Sequence, residues 1–231
     1  VDAADRLVVL AHVVVAAGAA GVVVEGHAGA DDIDEGRAAV AQRVAVLDLP
    51  GFTKFEVSGP GAKAWLNHMV AGTVPGPGRT ALNYFCAPSG GIVTEMTITA
   101  LGPEQYWLIS AAAGERHDEH WLREHLSAGA AVRVENVTAR FGTLIVVGPK
   151  SRELLSALTP AELSNEAFPW LAVRTIDIAY TQAIALRVNY VGELGWELHL
   201  PVEHLLSVYQ LLFAAGEALG IGDFGLYAMD S

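Results

Sequence analysis

Cysteine and basic residues are scarce in this sequence of 231 residues. A single cysteine, Cys86, excludes an internal disulfide and a metal site built from several cysteines, and it fits a reducing compartment. Fourteen basic residues against 26 acidic ones give a net charge of −12, which repels a phosphate backbone and anionic lipid. We therefore exclude nucleic acid as a partner, disfavour a membrane association and expect a cytoplasmic protein.

The first part of the chain contains an uncharged run, residues 7–24, made almost entirely of Val, Ala, Leu and Gly. Its length reaches that of a minimal membrane span. Glycines interrupt the run, Arg6 is the only basic residue before it, and Asp2 and Asp5 oppose a signal peptide. We expect a buried helix or a pair of strands here, and residues 1–35 form a segment of uncertain placement.

A strand that stops at Gly-Pro and leads into a helix is predicted twice. Residues 47–57 are predicted to form one strand, in which Phe52–Val57 alternates in polarity, and Gly59-Pro60 stops it before apolar residues at helical spacing. Phe141–Val147 is an apolar strand, and Gly148-Pro149 stops it before a leucine-rich helix. With 52% hydrophobic residues the chain can bury a large core around these elements.

The parallel continues downstream of each helix. An Asn-Tyr pair that ends in Tyr84 precedes a glycine turn and a strand carrying Glu95, and a second pair that ends in Tyr190 precedes a glycine turn and a strand carrying Glu197. An internal duplication explains both recurrences and would place a ligand pocket at a pseudo-twofold axis. The two pseudo-repeats are predicted at about residues 47–130 and 131–222.

The stretch Arg187–Pro201 predicts a β-hairpin. Apolar residues alternate as far as Tyr190, a glycine-rich turn follows at residues 192–195, and alternation resumes as far as Pro201. A helix is predicted directly after it, at residues 202–219, and glycines end that helix. Glu197 falls inside the returning strand on the face opposite Trp196, so its carboxylate must reach water or find a partner. A solvated face is the simpler interpretation, and a ligand position is the alternative.

Three histidines lie in one predicted helix, residues 114–126, and two of them, His117 and His120, are one turn apart. The spacing matches no metal motif. Charged residues of both signs between the histidines are typical of a solvated helix face. We predict no metal site.

Three motifs together resemble the folate-binding aminomethyltransferase family, which includes the T-protein of the glycine cleavage system and the C-terminal regions of dimethylglycine and sarcosine dehydrogenases and oxidases. They are Lys54–Pro60, Gly90–Met96 and Tyr190–Glu197. The Gly-Glu-Leu-Gly-Trp-Glu-Leu form of the third motif is more similar to the dimethylglycine and sarcosine branch. The resemblance implies a duplicated α+β folate-binding domain over residues 36–231. In the family a barrel follows, which would lie beyond Ser231, so we expect an incomplete domain.

The resemblance also implies the site. Glu197 matches the carboxylate that grips the pterin ring, and Tyr190 matches the tyrosine beside that ring. Glu95 stands in place of the family's essential aspartate, near the folate nitrogens that take up the one-carbon unit, and we assign it the catalytic role. The other cofactor-binding residues are predicted to be Tyr84, Ile109 and Trp170.

The implied function is tetrahydrofolate-dependent one-carbon transfer, in which a methylene unit from an N-methyl amine or an aminomethyl donor gives 5,10-methylenetetrahydrofolate. The chain has no flavin fingerprint, so FAD and amine oxidation would belong to a separate domain or subunit. Two alternatives stay open. One is a non-catalytic folate-binding regulatory module, and the other is a folate-dependent demethylase that acts on another methyl donor.

Overall fold

A computed structural model describes residues 30–49, 51–127, 129–188 and 190–229 of the chain. Helices and groups of consecutive strands occupy these ranges, which confirms the predicted mixture of α and β structure. The helices are α1 (Ala30–Gln42), α2 (Ala62–Met69), α3 (Glu115–Glu124), α4 (Ser151–Ser156), α5 (Val202–Gly216) and α6 (Leu226–Met229). The strands are β1 (Ala45–Asp48), β2 (Phe52–Ser58), β3 (Thr80–Cys86), β4 (Ile92–Gly102), β5 (Gln105–Ala111), β6 (Arg133–Asn136), β7 (Phe141–Val147), β8 (Val173–Ile178), β9 (Thr181–Leu186), β10 (Gly195–Pro201) and β11 (Gly222–Asp223).

The described strands form two sheets. Sheet I has the order β3-β4-β5-β2-β6, and sheet II has the order β11-β1-β7-β10-β9-β8. Neighbouring strands are antiparallel, except that β11 runs parallel to β1. The chain passes from sheet II to sheet I between Asp48 and Phe52. The single strand predicted for residues 47–57 is therefore wrong, because its two ends pair in different sheets.

Helices cover one face of each sheet, and the other face of each sheet lies against the opposite sheet. Leu66 of α2 and Leu122 of α3 pack on sheet I, whereas Leu155 of α4 and Leu212 of α5 pack on sheet II. A further apolar cluster lies between the sheets and joins residues of β5, β8 and β9. Alternation along β10 has a direct consequence: Trp196 and Leu198 face the helices, and Glu197 faces sheet I.

Backbone hydrogen bonds also tie the sheets together at one edge. The N–H of Thr80 at the start of β3 donates to the carbonyl of Leu171 at 3.0 Å, and the N–H of Val173 in β8 donates to the carbonyl of Gly78 at 2.8 Å. These bonds fix the edge strand of sheet I against the chain that enters sheet II. The relative position of the two sheets is set by backbone contacts as well as by side-chain packing.

The predicted hairpin exists, but its turn is longer than the sequence pattern indicates. β9 ends at Leu186 and β10 begins at Gly195, so residues 187–194 form the connection and Tyr190 lies outside the strand. The backbone of Arg187 bonds to residues 171 and 172 instead of to β10. The predicted continuation of the first strand to residue 190 is therefore wrong, and the turn is longer than the one predicted at residues 192–195.

The hairpin that carries Glu95 and the helix after residue 201 are both confirmed. Tyr84 of β3 is paired with Glu95 of β4, and α5 with its final turn spans residues 202–219. In the described residues no helix is long and apolar enough to cross a membrane. The apolar run at residues 7–24 lies outside the described residues.

The two Gly-Pro bends share one backbone conformation. Gly59 has φ = 114° and Gly148 has φ = 112°. A Cβ would lie 2.4 Å from the carbonyl oxygen of Ala131 at Gly59 and 2.6 Å from that of Arg43 at Gly148. Each bend thus requires glycine for its conformation and for the close approach of another chain segment. This recurrence supports the duplication, whose boundaries stay a proposal.

We expect Gly59→Ala and Gly148→Ala each to lower the free energy of unfolding by about 3 kcal/mol or more, since a Cβ meets backbone in a strained conformation. Gly129→Ala is the matched control: it has φ = 82° but no heavy atom within 4 Å of the added Cβ. It should cost only about 1 kcal/mol. Urea unfolding measures all three, and a loss at Gly59 no larger than at Gly129 would contradict the steric argument.

Candidate functional site

Glu197 is buried between the two sheets, with a relative exposure of 2%. Its Oε2 atom lies 3.1 Å from Nε2 of His199, the next residue on the same face of β10. Its Oε1 atom is also buried and has no hydrogen-bond partner among the described residues. The solvated face that the sequence pattern favoured is therefore wrong. A buried carboxylate oxygen with an unused acceptor is expensive unless a ligand or water donates to it.

Glu95 and Tyr84 form a cross-strand pair on sheet I. The Tyr84 hydroxyl donates a hydrogen bond to the Glu95 carboxylate, and this bond is the main reason that the pKa of Tyr84 is raised. Glu95 is half-buried, and Tyr84 has a relative exposure of 40%. The pair therefore lies where the space between the sheets opens to solvent.

Tyr190 connects the two carboxylates. Burial of its hydroxyl raises its pKa most, the negative charge of Glu197 raises it further, and Glu95 adds a smaller effect of the same sign. The Thr97 hydroxyl bonds to the Tyr190 oxygen and opposes these effects. The residue as a whole is 40% exposed, so Tyr190 has a buried hydroxyl and stays partly accessible to solvent. Glu95 and Glu197 thus both act electrostatically on the Tyr190 phenol. The carboxylates of the two predicted repeats therefore lie in one site.

Lys54 and Ile109 form the floor of this site. Ile109 of β5 is paired with Lys54 on one side and with Thr97 on the other, so the three side chains share one face of sheet I. Lys54 is fully buried, and its Nζ atom donates to the carbonyl of Phe52 at 2.9 Å. Desolvation lowers the pKa of Lys54 to about 8, and the opposite charge of Glu197 limits the shift.

No hydrogen bond, ion pair or ring contact in the described part of the chain joins Trp170 to this group. Its side chain is 38% exposed, and it precedes Leu171, whose carbonyl accepts the bond from Thr80 of β3. Five predicted residues therefore come together, and the place of Trp170 in the set stays a prediction. The five are Tyr84, Glu95, Ile109, Tyr190 and Glu197.

Sequence reasoning missed three residues of the site. Lys54 and His199 are each fully buried, and Thr97 bonds to Tyr190. A signal was available for two of them. Lys54 is a charge at an inward position of an alternating strand, and His199 follows Glu197 at the two-residue spacing that keeps it on the same face. Thr97 could not be selected, because threonine is ordinary in a strand.

The histidine helix has a structural explanation. Asp118 of α3 is buried, accepts a hydrogen bond from the Ser110 hydroxyl at 2.8 Å and lies 3.1 Å from Nδ1 of His117. The carboxylate lies between the two other side chains, so the histidine cannot take a proton from the serine directly. No group of at least three His, Cys, Asp or Glu side chains in the described ranges could hold a metal ion.

The buried amine of Lys54 predicts a pH dependence of stability. Its pKa is lowered from 10.5 to about 8 in the folded state, so between these values the unfolded chain binds a proton that the native protein does not. The contribution of Lys54 to the free energy of unfolding should therefore rise with pH across this window, by on the order of 2 to 3 kcal/mol. The raised pKa of Tyr190 has the opposite effect above about pH 10, so the difference between variants measures Lys54 alone.

Lys54→Met should remove that rise, whereas Lys63→Met, which deletes an exposed lysine of α2, should retain it. Chemical denaturation at several values from about pH 7 to about pH 10 measures the slope. Parallel curves for wild type and Lys54→Met would show that the buried amine does not titrate in this range.

Comparison with known proteins identifies relatives among amine-oxidising enzymes. The chain is 37% identical over 193 residues to the mitochondrial dimethylglycine dehydrogenase of Mus musculus, an alignment that covers 83% of this chain and 22% of that protein. It is 33% identical over 202 residues to the formaldehyde-forming 4-methylaminobutanoate oxidase of Paenarthrobacter nicotinovorans, covering 87% of this chain and 24% of that protein. The chain thus spans less than a quarter of either relative.

Two solved structures share the fold. The aminomethyltransferase T of the glycine cleavage system from Bartonella henselae superimposes with a TM-score of 0.73 at 19% identity, over 86% of this chain and 52% of that one. A chain of the heterotetrameric sarcosine oxidase from Corynebacterium sp. U-96 gives 0.63 at 18% identity, over 85% of this chain and 96% of that one.

One protein family matches nearly the whole sequence. The GCVT N-terminal domain matches residues 25–231, a range that includes both sheets and every residue of the site. The predicted resemblance to aminomethyltransferases and to dimethylglycine and sarcosine enzymes is confirmed. The chain belongs to the GCVT N-terminal domain family.

Proposed function

We propose that this chain binds tetrahydrofolate between sheets I and II and takes part in moving a one-carbon unit from an N-methyl amine or an aminomethyl donor to give 5,10-methylenetetrahydrofolate. One observation carries the proposal. The buried Oε1 atom of Glu197 has no hydrogen-bond partner in the part of the chain that the structure describes, within electrostatic reach of a phenol that Glu95 also affects. When bound, tetrahydrofolate supplies the nitrogens that accept the one-carbon unit.

The residues present fit a reduced pterin. Glu197 can accept hydrogen bonds from adjacent N–H groups, one of them at the unused Oε1 atom, and a pterin N3–H and 2-amino group are such donors. Tyr190 offers a partly accessible aromatic side chain beside it. Ile109 supplies an apolar floor, with a relative exposure of 5%. Trp170 is proposed as a further contact on the strength of the family resemblance alone.

Glu95 is proposed as the catalytic carboxylate. It lies nearer to solvent than Glu197 and is held by the Tyr84 hydroxyl, so it can accept or return a proton without a large desolvation cost. Holding the donor near Glu95 and excluding water from Glu197 would be the main tasks of the protein, because proximity and orientation supply much of the rate in such transfers.

The donor and the partners are also proposals. The two relatives among amine-oxidising enzymes favour a small N-methyl amine as the substrate, and they favour a flavin-bearing domain or subunit as the partner that carries FAD. We also propose a cytoplasmic location and no role for nucleic acid, in keeping with the net charge of −12.

Glu197→Gln tests whether the Glu197 carboxylate holds the ligand. The amide retains the shape of the carboxylate but turns N–H donors toward the donors of the ligand. We expect the affinity for tetrahydrofolate to fall by roughly 30- to 1000-fold, because a charge-assisted pair contributes about 2 to 4 kcal/mol. Anaerobic calorimetric titration of the protein in its natural full length measures the change.

Glu203→Gln is the control for this change, because Glu203 is exposed on α5. Glu193 is unsuitable as a control. It lies in the turn, and partial burial raises its pKa. Unchanged affinity in Glu197→Gln, or equal weakening in both variants, would remove Glu197 from the binding site.

Glu95→Gln separates catalysis from binding. We expect one-carbon transfer from an N-methyl amine to fall by about 100-fold or more, while the affinity for tetrahydrofolate stays within a few fold, since the charge and not the shape is lost. Glu104→Gln changes an exposed carboxylate of the same sheet region and should leave both quantities unchanged. Full activity of Glu95→Gln would exclude the carboxylate from the chemistry. Tight binding without transfer in the wild type would favour the non-catalytic module.

A further inference from the structure

A row of buried polar side chains, each in contact with the next, leads from Glu197 to the neighbouring strand. His199 Nε2 is 3.1 Å from Oε2 of Glu197, and His199 Nδ1 is 3.1 Å from the Thr143 hydroxyl on the neighbouring strand β7. Thr143 and His199 are both fully buried, and the two residues are directly paired across β7 and β10. The order of contacts is therefore hydroxyl, imidazole, carboxylate.

These contacts determine where the imidazole proton resides. A carboxylate oxygen only accepts, so Nε2 of His199 must carry a hydrogen and donate to Glu197. Desolvation lowers the pKa of His199, against the opposing effect of Glu197, and the ring is therefore neutral. Its Nδ1 atom then has no proton and accepts from the Thr143 hydroxyl. We assign the Nε2–H tautomer on this basis.

Packing holds the ring in that orientation. The edge of Trp107 meets the imidazole at a centroid distance of 5.8 Å and an interplanar angle of 84°. Trp107 is itself fixed by Phe141, whose ring centroid lies 4.7 Å away. The histidine therefore has hydrogen bonds at both nitrogens and an aromatic wall beside it, and it has little freedom to turn.

One oxygen of Glu197 is held and the other is not. Oε2 is used by His199, and the buried Oε1 has no partner among the described residues. A carboxylate that is fixed through one oxygen presents the other in a defined direction, so less side-chain entropy is lost when a ligand binds.

We propose that His199, backed by Thr143, is a positioning residue that fixes the Glu197 carboxylate so that Oε1 faces the N–H donors of the ligand. This role rests on the proposed binding of tetrahydrofolate at Glu197. It adds to that function a hydrogen-bond relay from the neighbouring strand, and His199 itself does not touch the ligand.

A pair of amide substitutions tests the relay. His199→Gln places an N–H donor close to the position of Nε2, and His199→Asn places one close to Nδ1, away from Glu197. The affinity for tetrahydrofolate should stay within about threefold of wild type in His199→Gln and fall by about tenfold or more in His199→Asn. Both variants open similar space in the core, so a purely structural histidine would give equal losses.

Nitrogen-15 NMR of labelled histidine gives a second measurement that needs no ligand. The wild type should show a protonated Nε2 and an unprotonated Nδ1 at His199. Thr143→Ser should keep this signature, whereas Thr143→Val should broaden or shift it because Nδ1 loses its donor.

The outcomes separate the two proposals. Equal weakening in His199→Gln and His199→Asn, or a wild-type His199 with its proton on Nδ1, overturns the positioning role and leaves the proposed function standing. A wild-type protein that does not bind tetrahydrofolate overturns the proposed function, and the positioning role falls with it even if the tautomer is as assigned.

Discussion

Opposite charges that are buried between two apolar sheets constrain this structure more than any other feature. Lys54 belongs to sheet I and Glu197 to sheet II, and both are almost completely removed from water. A lone charge in such an interior costs several kcal/mol, and an opposite charge on the facing sheet offsets part of that cost. The two sheets therefore favour a packing that keeps the amine of one within electrostatic reach of the carboxylate of the other. The site is where this condition is met.

The sequence predicts the parts of the fold that depend on local order. The hairpin of β3 and β4 and the helix α5 follow from alternation, glycine turns and helical spacing, which act within a few residues. It does not predict that β1 joins sheet II while β2 joins sheet I, because pairing across the chain leaves no mark in either strand alone. It likewise does not predict β11, a parallel strand of two residues that depends entirely on β1.

The residues of the site also fall into those that the sequence predicts and those that it does not. Glu197, Tyr190 and Glu95 could be named because they stand in motifs with recognisable spacing, and the structure brings them within electrostatic reach of one another. Lys54 and His199 carried only a weak signal, a charge or an imidazole at an inward position. Their importance comes from the opposite sheet. A residue whose role depends on a partner far along the chain is visible only when the fold is known.

The site combines strand pairings of two kinds. Strands β3, β4 and β5 follow one another with short turns, so Tyr84, Glu95 and Ile109 can come together through contacts close in sequence. Lys54 and the Thr143–His199 contact depend instead on strands about fifty residues apart, because β2 pairs with β5 and β10 pairs with β7. Low contact order favours early formation of the three-stranded surface, and loop closure delays the buried polar groups. A newly made chain would thus acquire a surface for its ligand before it acquires the means to hold it.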